Sequence, residues 1–303
     1  MSKKIRIGTR DSRLAVWQAS LVLRQLQDAG HSLELVLIKS EGDIDLVTPL
    51  YAIGVQGIFT RTLDAALLAG RIDLAVHSMK DVPVQLAEGL SAAAVLSRAD
   101  PGDLLVLRGD SSWVDDRESN ATIATSSLRR KAQWLHRFPR HRIENLRGNV
   151  GTRLKKLADS DWQGAIFARA GLERLGEMPA NSLSLDWMLP APAQGAILVT
   201  CREEDEAMRQ ACSPLNDPST AACVNIERAF LSIMMGGCST PVGALATLRD
   251  GQVHFRGNVC SLDGVTCLSV ERTGPASADL GRESGEALLA QGAGALIQKL
   301  PHD

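Results

Sequence analysis

The sequence predicts an α/β protein of several domains. Its 303 residues exceed what one hydrophobic core commonly serves, and it opens with a β-α-β pattern. Short apolar runs along it also end in polar, chemistry-bearing residues, as strands of open α/β sheets do at ligand sites. A composition of 45% hydrophobic and 22% charged residues is that of a globular chain.

Ile5 to Ile7 alternates as a strand, and GTRDSR leads into LAVWQASLVLRQLQDAG, where Leu14, Val16, Trp17, Leu21, Leu23 and Leu26 share one helix face. Gly30 ends that helix, and LELVLIK follows as the second strand. GIFTRTLDAALLAG reads as another helix and IDLAVHS as a short buried strand. His77 to Asp81 therefore falls at a strand's carboxyl end. Residues 41–57 form a long connection of the kind that serves as an active-site lid. RADPGD at 98–103 reads as a hinge, after which ATIATS, HRIENL and GAIFA are strands of a second α/β domain. LPAPAQG at 189–195 crosses back, returning the chain to the first sheet through Ala196 to Cys201. After NDPST, the helix AACVNIERAFLSIM and Gly-rich alternating strands form a smaller α+β domain. The expected division is 1–98 with 196–216, then 99–195, then 217–303, with no internal repeat.

A net charge of −2 gives no long-range attraction to nucleic acid or an anionic membrane. Its distribution is uneven: 25 Arg stand against 8 Lys, and the rigid guanidinium fork suits bidentate carboxylate or phosphate contacts. Seven of these arginines and Lys131 lie between Arg129 and Arg153, against Glu144 alone. Cys201, Cys212, Cys223, Cys238, Cys260 and Cys267 show no C-x-x-C pair, which excludes a zinc knuckle. MSKKIRIGTR lacks the apolar stretch of a signal peptide, and no run of about 18 apolar residues exists to span a membrane. A cytoplasmic protein with reduced thiols is expected.

In HSMKDVP, Ser78, Lys80 and Asp81 follow an apolar strand, and Pro83 restricts the backbone. A carboxylate beside a fixed cation can stay ionised and stabilise developing positive charge; the plainer reading is a solvated turn. In TSSLRR, Thr125, Ser126 and Ser127 precede a helix holding Arg129 and Arg130, so the hydroxyls either cap that helix or bind an anion at its N-terminus. LRGNVGTR sets Arg147 and Arg153 around glycines that allow close backbone approach, without the order of a Walker A loop. Singly each arginine reads as surface; together they read as an anion site, with too few aromatics for nucleic acid. Cys238, after Gly236 and Gly237, is either a nucleophile or anchor, or a small apolar residue.

The motifs RIGTRDSRLAVWQA, IDLAVHSMKDVP, TSSLRR, LRGNVGTR, PAPAQGA and MMGGCSTPVGA, in this order along nearly the whole chain, resemble the hydroxymethylbilane synthases, or porphobilinogen deaminases. The resemblance implies two periplasmic-binding-protein-like domains around a cleft and a smaller α+β C-terminal domain. It implies a transferase that condenses four porphobilinogen molecules head to tail with loss of ammonia, then hydrolyses off hydroxymethylbilane. The primer would be dipyrromethane, held as a thioether on Cys238, with Asp81 as the catalytic acid. Ser78, Lys80, Thr125, Ser127, Arg129, Arg130, Arg147 and Gly148 match cofactor-binding positions, and Arg10, Ser12, Arg153, Arg174 and Gln194 match substrate-binding ones. Each porphobilinogen carries two carboxylates, so a growing chain needs repeated Arg pairing. A monomer working without metal, nucleic acid or membrane is implied. Two departures stand out: Ala52 and Gln56 replace lysines of some relatives, with Arg61 keeping positive charge further along, and PAPAQGA is poorer in glycine than some crossings. The chief alternative is a noncatalytic binding protein for a small polycarboxylate; another is a nucleic-acid binder using residues 129–153.

Overall fold

The computed structural model describes residues 4–39, 60–116, 118–234 and 240–298. Two compact units divide the chain: Met1–Leu46, Val55–Ala99 and Gly195–Ala221 form one, and Val47–Gly54, Asp100–Gln194 and Ala222–Asp303 the other.

In the first unit, β1 (Ile5–Arg10), β2 (Leu33–Ile38), β3 (Leu74–Ser78), β4 (Leu90–Val95) and β10 (Ile197–Arg202) make a sheet of order β2-β1-β3-β10-β4. The first three run parallel, and β10 lies antiparallel between β3 and β4. Alternation along β3 sends Leu74 and Val76 toward Ala19, Val22 and Leu26 of helix α1 (Arg13–Asp28), and Ala75 toward Leu63, Ala66 and Leu67 of α2 (Arg61–Leu68). Both sheet faces are covered, which is why LAVHS reads as a continuous apolar run. Gly8 of β1 permits the close approach of α2 and the segment after it to the sheet: a Cβ there would lie 2.3 Å from Ile72 Cδ1 and 3.1 Å from Leu63 Cδ2 of α2.

The second unit holds two sheets. β5 (Asp103–Leu107), β6 (Thr122–Ala124), β7 (Arg142–Glu144), β8 (Gly164–Ala168) and β9 (Ser182–Ser184) are ordered β7-β6-β8-β5-β9. Again three strands are parallel and an antiparallel one, β5, separates the third from the last. The strand order of the first sheet is thus repeated, so this is an α/β protein with two sheets of like topology. Helices α3 (Leu128–Arg137), α4 (Val150–Asp159) and α5 (Arg169–Leu175) follow β6, β7 and β8. Trp134 and Phe138 of α3 cover one sheet face through Leu105, Ile123 and Ile166, while Leu157 and Leu172 cover the other through Val106, Ala165 and Phe167.

The third sheet is an antiparallel meander, β11 (Val242–Arg249), β12 (Gln252–Cys260) and β13 (Cys267–Gly274). It packs Val253, Phe255 and Val259 against Phe230 of α7 (Pro218–Ile233) and Leu288 of α8 (Ala278–Ala290). Cys260 and Cys267 face each other across β12 and β13 with Cα atoms 4.0 Å apart, and their sulfurs are bonded. This departs from the expectation of reduced thiols: spacing along the chain showed no close pair, whereas the hairpin brings residues seven apart into register. Cys201, Cys212 and Cys223 are buried thiols outside the disulfide, and burial pushes the Cys212 thiol up to about 12. Among the described residues, no helix is long and apolar enough to cross a membrane.

At the crossing, Ala193 has φ +62°, a left-handed conformation, and its N–H donates to Glu227 Oε2 at 2.7 Å. Glu227 is fully buried, and its other oxygen accepts from Ala246 N at 2.8 Å. A left-handed L-residue costs about 1–2 kcal/mol, which a carboxylate–amide bond here offsets. Ala193→Gly should raise the free energy of unfolding by up to about 1 kcal/mol, read as a higher urea midpoint, since the relieved strain exceeds the entropy added to the unfolded chain. A lowered midpoint would show that the strain is not there.

Candidate functional site

In the first unit, β1 and β3 run parallel as neighbours, which places Arg10 and the His77–Asp81 segment at the same carboxyl edge. Ser12 caps α1, its Oγ accepting from Ala15 N at 3.3 Å. Ser78 closes β3, and its hydroxyl exchanges hydrogen bonds with the Gln18 amide at 3.0 and 3.1 Å. One 3₁₀ turn, Met79–Asp81, then lifts Lys80 and Asp81 off the strand, pinned by Met79 N donating to Ala196 O at 3.0 Å. Asp81 is half-buried, and its carboxylate has no hydrogen-bond or ion-pair partner among the described residues. A carboxylate in that state can receive a ligand's N–H groups or its developing positive charge.

His77, one residue before Ser78, is buried with Nε2 3.4 Å from Thr200 Oγ1. Burial, and then the Arg10 charge, lowers its pKa from 6.5 to about 4. It is therefore neutral at neutral pH. As pH falls, the unfolded chain binds a proton before the folded one, so stability present above about pH 6.5 is lost progressively toward pH 4. The loss attributable to this group should be about 2–3 kcal/mol by pH 4.5. Urea unfolding of His77→Gln at pH 7 and pH 4.5 should show a correspondingly smaller acid loss than wild type; equal losses would remove His77 as the cause.

In the second unit, β6, β7 and β8 are parallel, so the starts of α3, α4 and α5 share one carboxyl edge. Thr125 Oγ1 accepts from Ser127 N at 3.2 Å, Ser127 Oγ accepts from Arg130 N at 3.4 Å, and Ser126 Oγ donates to Leu146 O at 2.9 Å. Ser127 thus caps the helix, while Thr125 and Ser126 brace the turn before it. Asn149 does the same for α4 through Thr152 N at 2.9 Å. Between them Arg147 is buried, Lys156 Nζ donates to its carbonyl at 3.1 Å, and Arg153 Nε donates to Gly148 O at 2.7 Å. Gly148 has φ +112°, and a Cβ there would lie 2.9 Å from Thr152 Cγ2, so the loop requires glycine. Arg174 of α5 is half-buried; burial lowers its pKa to about 10, which leaves it cationic at neutral pH.

Arg129 and Arg130 converge on Asp103, the first residue of β5. Arg129 Nη2 lies 2.8 Å from Asp103 Oδ2, and Arg130 Nη2 donates to Oδ1 at 2.8 Å. Their other nitrogens reach Leu189 O at 2.7 Å and Ile166 O at 3.0 Å. Gln194 Nε2 donates to the same Oδ1 at 2.8 Å and to Pro101 O at 2.6 Å. Burial alone would raise the Asp103 pKa, but the charges of Arg129 and Arg130 and the hydrogen bonds from Arg130 and Gln194 hold it well below the usual carboxylate range. Two guanidiniums against one carboxylate leave the trio with one net positive charge in a buried setting, a standing attraction for an anion.

The predicted residues thus fall into two groups: Arg10, Ser12, Ser78, Lys80 and Asp81 at the first edge, and Thr125, Ser127, Arg129, Arg130, Arg147, Gly148, Arg153 and Arg174 at the second. Gln194 is placed on Asp103 at the crossing. Cys238, Ala52, Gln56 and the lid-like stretch 41–57 lie outside the described residues. Sequence reasoning missed Asp103 and Gln18. The signal for Asp103 was an acid opening the apolar run DLLVL; Gln18 gave none, being one polar position on an amphipathic helix.

Two sheets of one strand order, each with basic and hydroxyl residues at a carboxyl edge, define an α/β protein that handles small polyanionic molecules. A family profile described as porphobilinogen deaminase, dipyromethane cofactor binding domain, matches residues 5–210, and one described as porphobilinogen deaminase, C-terminal domain, matches residues 221–290. The porphobilinogen deaminase of Shouchella clausii is 42% identical over 98% of this chain and 97% of its own. That of Rubrobacter xylanophilus is 44% identical over 98% and 97%, and the chloroplastic enzyme of Oryza sativa subsp. japonica 43% identical over 95% and 84%. Among solved structures, an ancestral cationic amino acid solute binding protein aligns at TM-score 0.46 and 13% identity, covering 70% of this chain and 88% of its own. The chain belongs to the porphobilinogen deaminase family. It is a transferase that condenses four porphobilinogen molecules head to tail, with loss of ammonia, on a dipyrromethane primer and releases linear hydroxymethylbilane.

Proposed function

We propose that Asp81 is the catalytic carboxylate, that Cys238 anchors the primer, and that the arginines divide the carboxylates of cofactor and substrate among them. The observation that carries this reading is the half-buried Asp81 carboxylate, without a partner among the described residues, at a strand's carboxyl end. It stabilises positive charge as the amine of porphobilinogen leaves as ammonia, and it holds pyrrole N–H groups by accepting their hydrogen bonds.

The residues present fit a dipyrromethane with its acidic side chains. The net positive Arg129–Arg130–Asp103 trio and the buried Arg147 are suited to carboxylates, which Arg129, Arg130, Arg147, Ser78, Lys80, Thr125, Ser127 and the Gly148 backbone would hold. When bound, the group supplies the pyrrole end to which each new unit is joined. Arg10, Ser12, Arg153, Arg174 and Gln194 serve incoming porphobilinogen and the growing chain. The enzyme acts as a cytoplasmic monomer without nucleic acid or membrane, consistent with a net charge of −2.

Denatured whole-protein mass spectrometry of enzyme made in cells supplied with porphobilinogen should show an added mass of two linked pyrroles, and peptide fragmentation should place it on Cys238. A thioether survives denaturation, whereas a merely bound ligand leaves. Active enzyme without the adduct, or with it on another cysteine, would overturn the anchor. An inactive protein that binds small polycarboxylates reversibly would favour the noncatalytic alternative.

A further inference from the structure

A pocket of about 240 Å³ opens in the second unit, lined by Gln133, His136, Arg137, Trp187, Asn258 and Cys267. None of these residues belongs to the groups assigned above. The Arg137 guanidinium lies 4.9 Å over the Trp187 ring and 5.6 Å from the Phe138 ring. No carboxylate pairs with it among the described residues, and its Nε is buried without a hydrogen-bond partner. It is a cation oriented by aromatic faces, with its charge left unanswered.

Two of the remaining polar side chains offer donors. Asn258 is more than nine-tenths buried; its Oδ1 accepts from Gly243 N at 3.1 Å, and its Nδ2 has no partner among the described residues. Gln133 Oε1 accepts from Leu189 N at 2.9 Å and one Nε2 hydrogen goes to Leu189 O at 3.0 Å, which leaves the second hydrogen available. His136 Nδ1 donates to Gly264 O at 2.8 Å, so Nε2 of the neutral ring is an acceptor. Donors from two elements, Gln133 of α3 and Asn258 of β12, therefore flank one cation, with an indole ring as an apolar wall. A neutral ligand would leave the cation without a counter-charge, and a bare inorganic anion would leave the indole face unused.

We propose that this pocket binds a small planar carboxylate, with its carboxylate on Arg137 and Asn258 and its ring against Trp187. The volume is below the roughly 300–1,000 Å³ of sites for drug-sized ligands, which limits the occupant to about one ring. The proposal does not depend on the assignment of Asp81 or Cys238.

The test uses full-length ¹⁵N-labelled holoenzyme with benzoate as the probe, followed by the indole N–H signal that Trp187→Phe removes. Benzoate should shift that signal saturably. Arg137→Gln should weaken the response at least tenfold while turnover of porphobilinogen stays unchanged, and Arg137→Lys, which keeps the charge, should fall between the two. Benzamide, of the same shape without charge, should bind at least tenfold more weakly than benzoate. Inorganic phosphate equalling benzoate would reassign the pocket to anions in general and overturn the planar ligand. An unmoved Trp187 signal, or identical titrations of wild type and Arg137→Gln, would overturn the site.

Discussion

Asp81→Asn should fold with an unchanged urea midpoint and lose at least about a hundredfold in turnover. The substitution keeps shape and removes only the negative charge. Because the Asp81 carboxylate makes no hydrogen bond or ion pair with described residues, its removal leaves none of their donors stranded, and the stability they contribute has no reason to fall. What is lost is the electrostatic partner for the positive charge that develops as ammonia departs. Pre-oriented charge of this kind is worth about 3–4 kcal/mol in the transition state. The decisive comparison is between cofactor-loaded wild type and cofactor-loaded variant, in single-turnover consumption of porphobilinogen. Near-normal rates would remove Asp81 from the chemistry, and a large drop in midpoint would make its role structural instead.

The residues whose roles depend on their own strand were legible in the sequence. IDLAVHS is apolar because its sheet is covered on both faces, and that alone placed Asp81 at a carboxyl edge. TSSLRR announced a helix start, and Ser127 is its cap. Residues whose roles depend on distant partners were not legible. Asp103 read as part of a hinge because its partners Arg129, Arg130 and Gln194 lie 26 to 91 positions away. The Cys260–Cys267 bond has the same origin at shorter range, since only the β12–β13 register opposes the two. Glu227 gives the clearest case. On α7 it reads as one polar position, yet it is fully buried and joins the crossing at Ala193 to β11 at Ala246.

Asp103→Asn should destabilise the protein by about 3–5 kcal/mol, because it leaves two buried guanidiniums facing each other without an anion. Arg129 and Arg130 each commit one Nη to Asp103 and another to a main-chain carbonyl, so neither can turn away to water without breaking a second bond. The repulsion already shows in wild type. Burial first, and the Arg130 charge after Asp103's offsetting one, leaves the Arg129 pKa below its ordinary value. The pH dependence carries a definite sign. Asp103 is held well below the usual carboxylate range, so its contribution is fully present above the unfolded value near 4 and is lost only as pH falls through the lower folded value. Wild type therefore keeps this contribution at pH 4.5, where the His77 contribution has largely gone. A second change separates charge from packing. Arg130→Met in the Asp103→Asn background should restore part of the lost stability, because one buried cation goes and Met fills much of its volume, whereas Arg130→Met alone should destabilise. Urea midpoints of the four proteins close the cycle. Additive losses would show that the carboxylate and the guanidinium are not coupled, and the net positive trio would then no longer account for carboxylate binding at this edge.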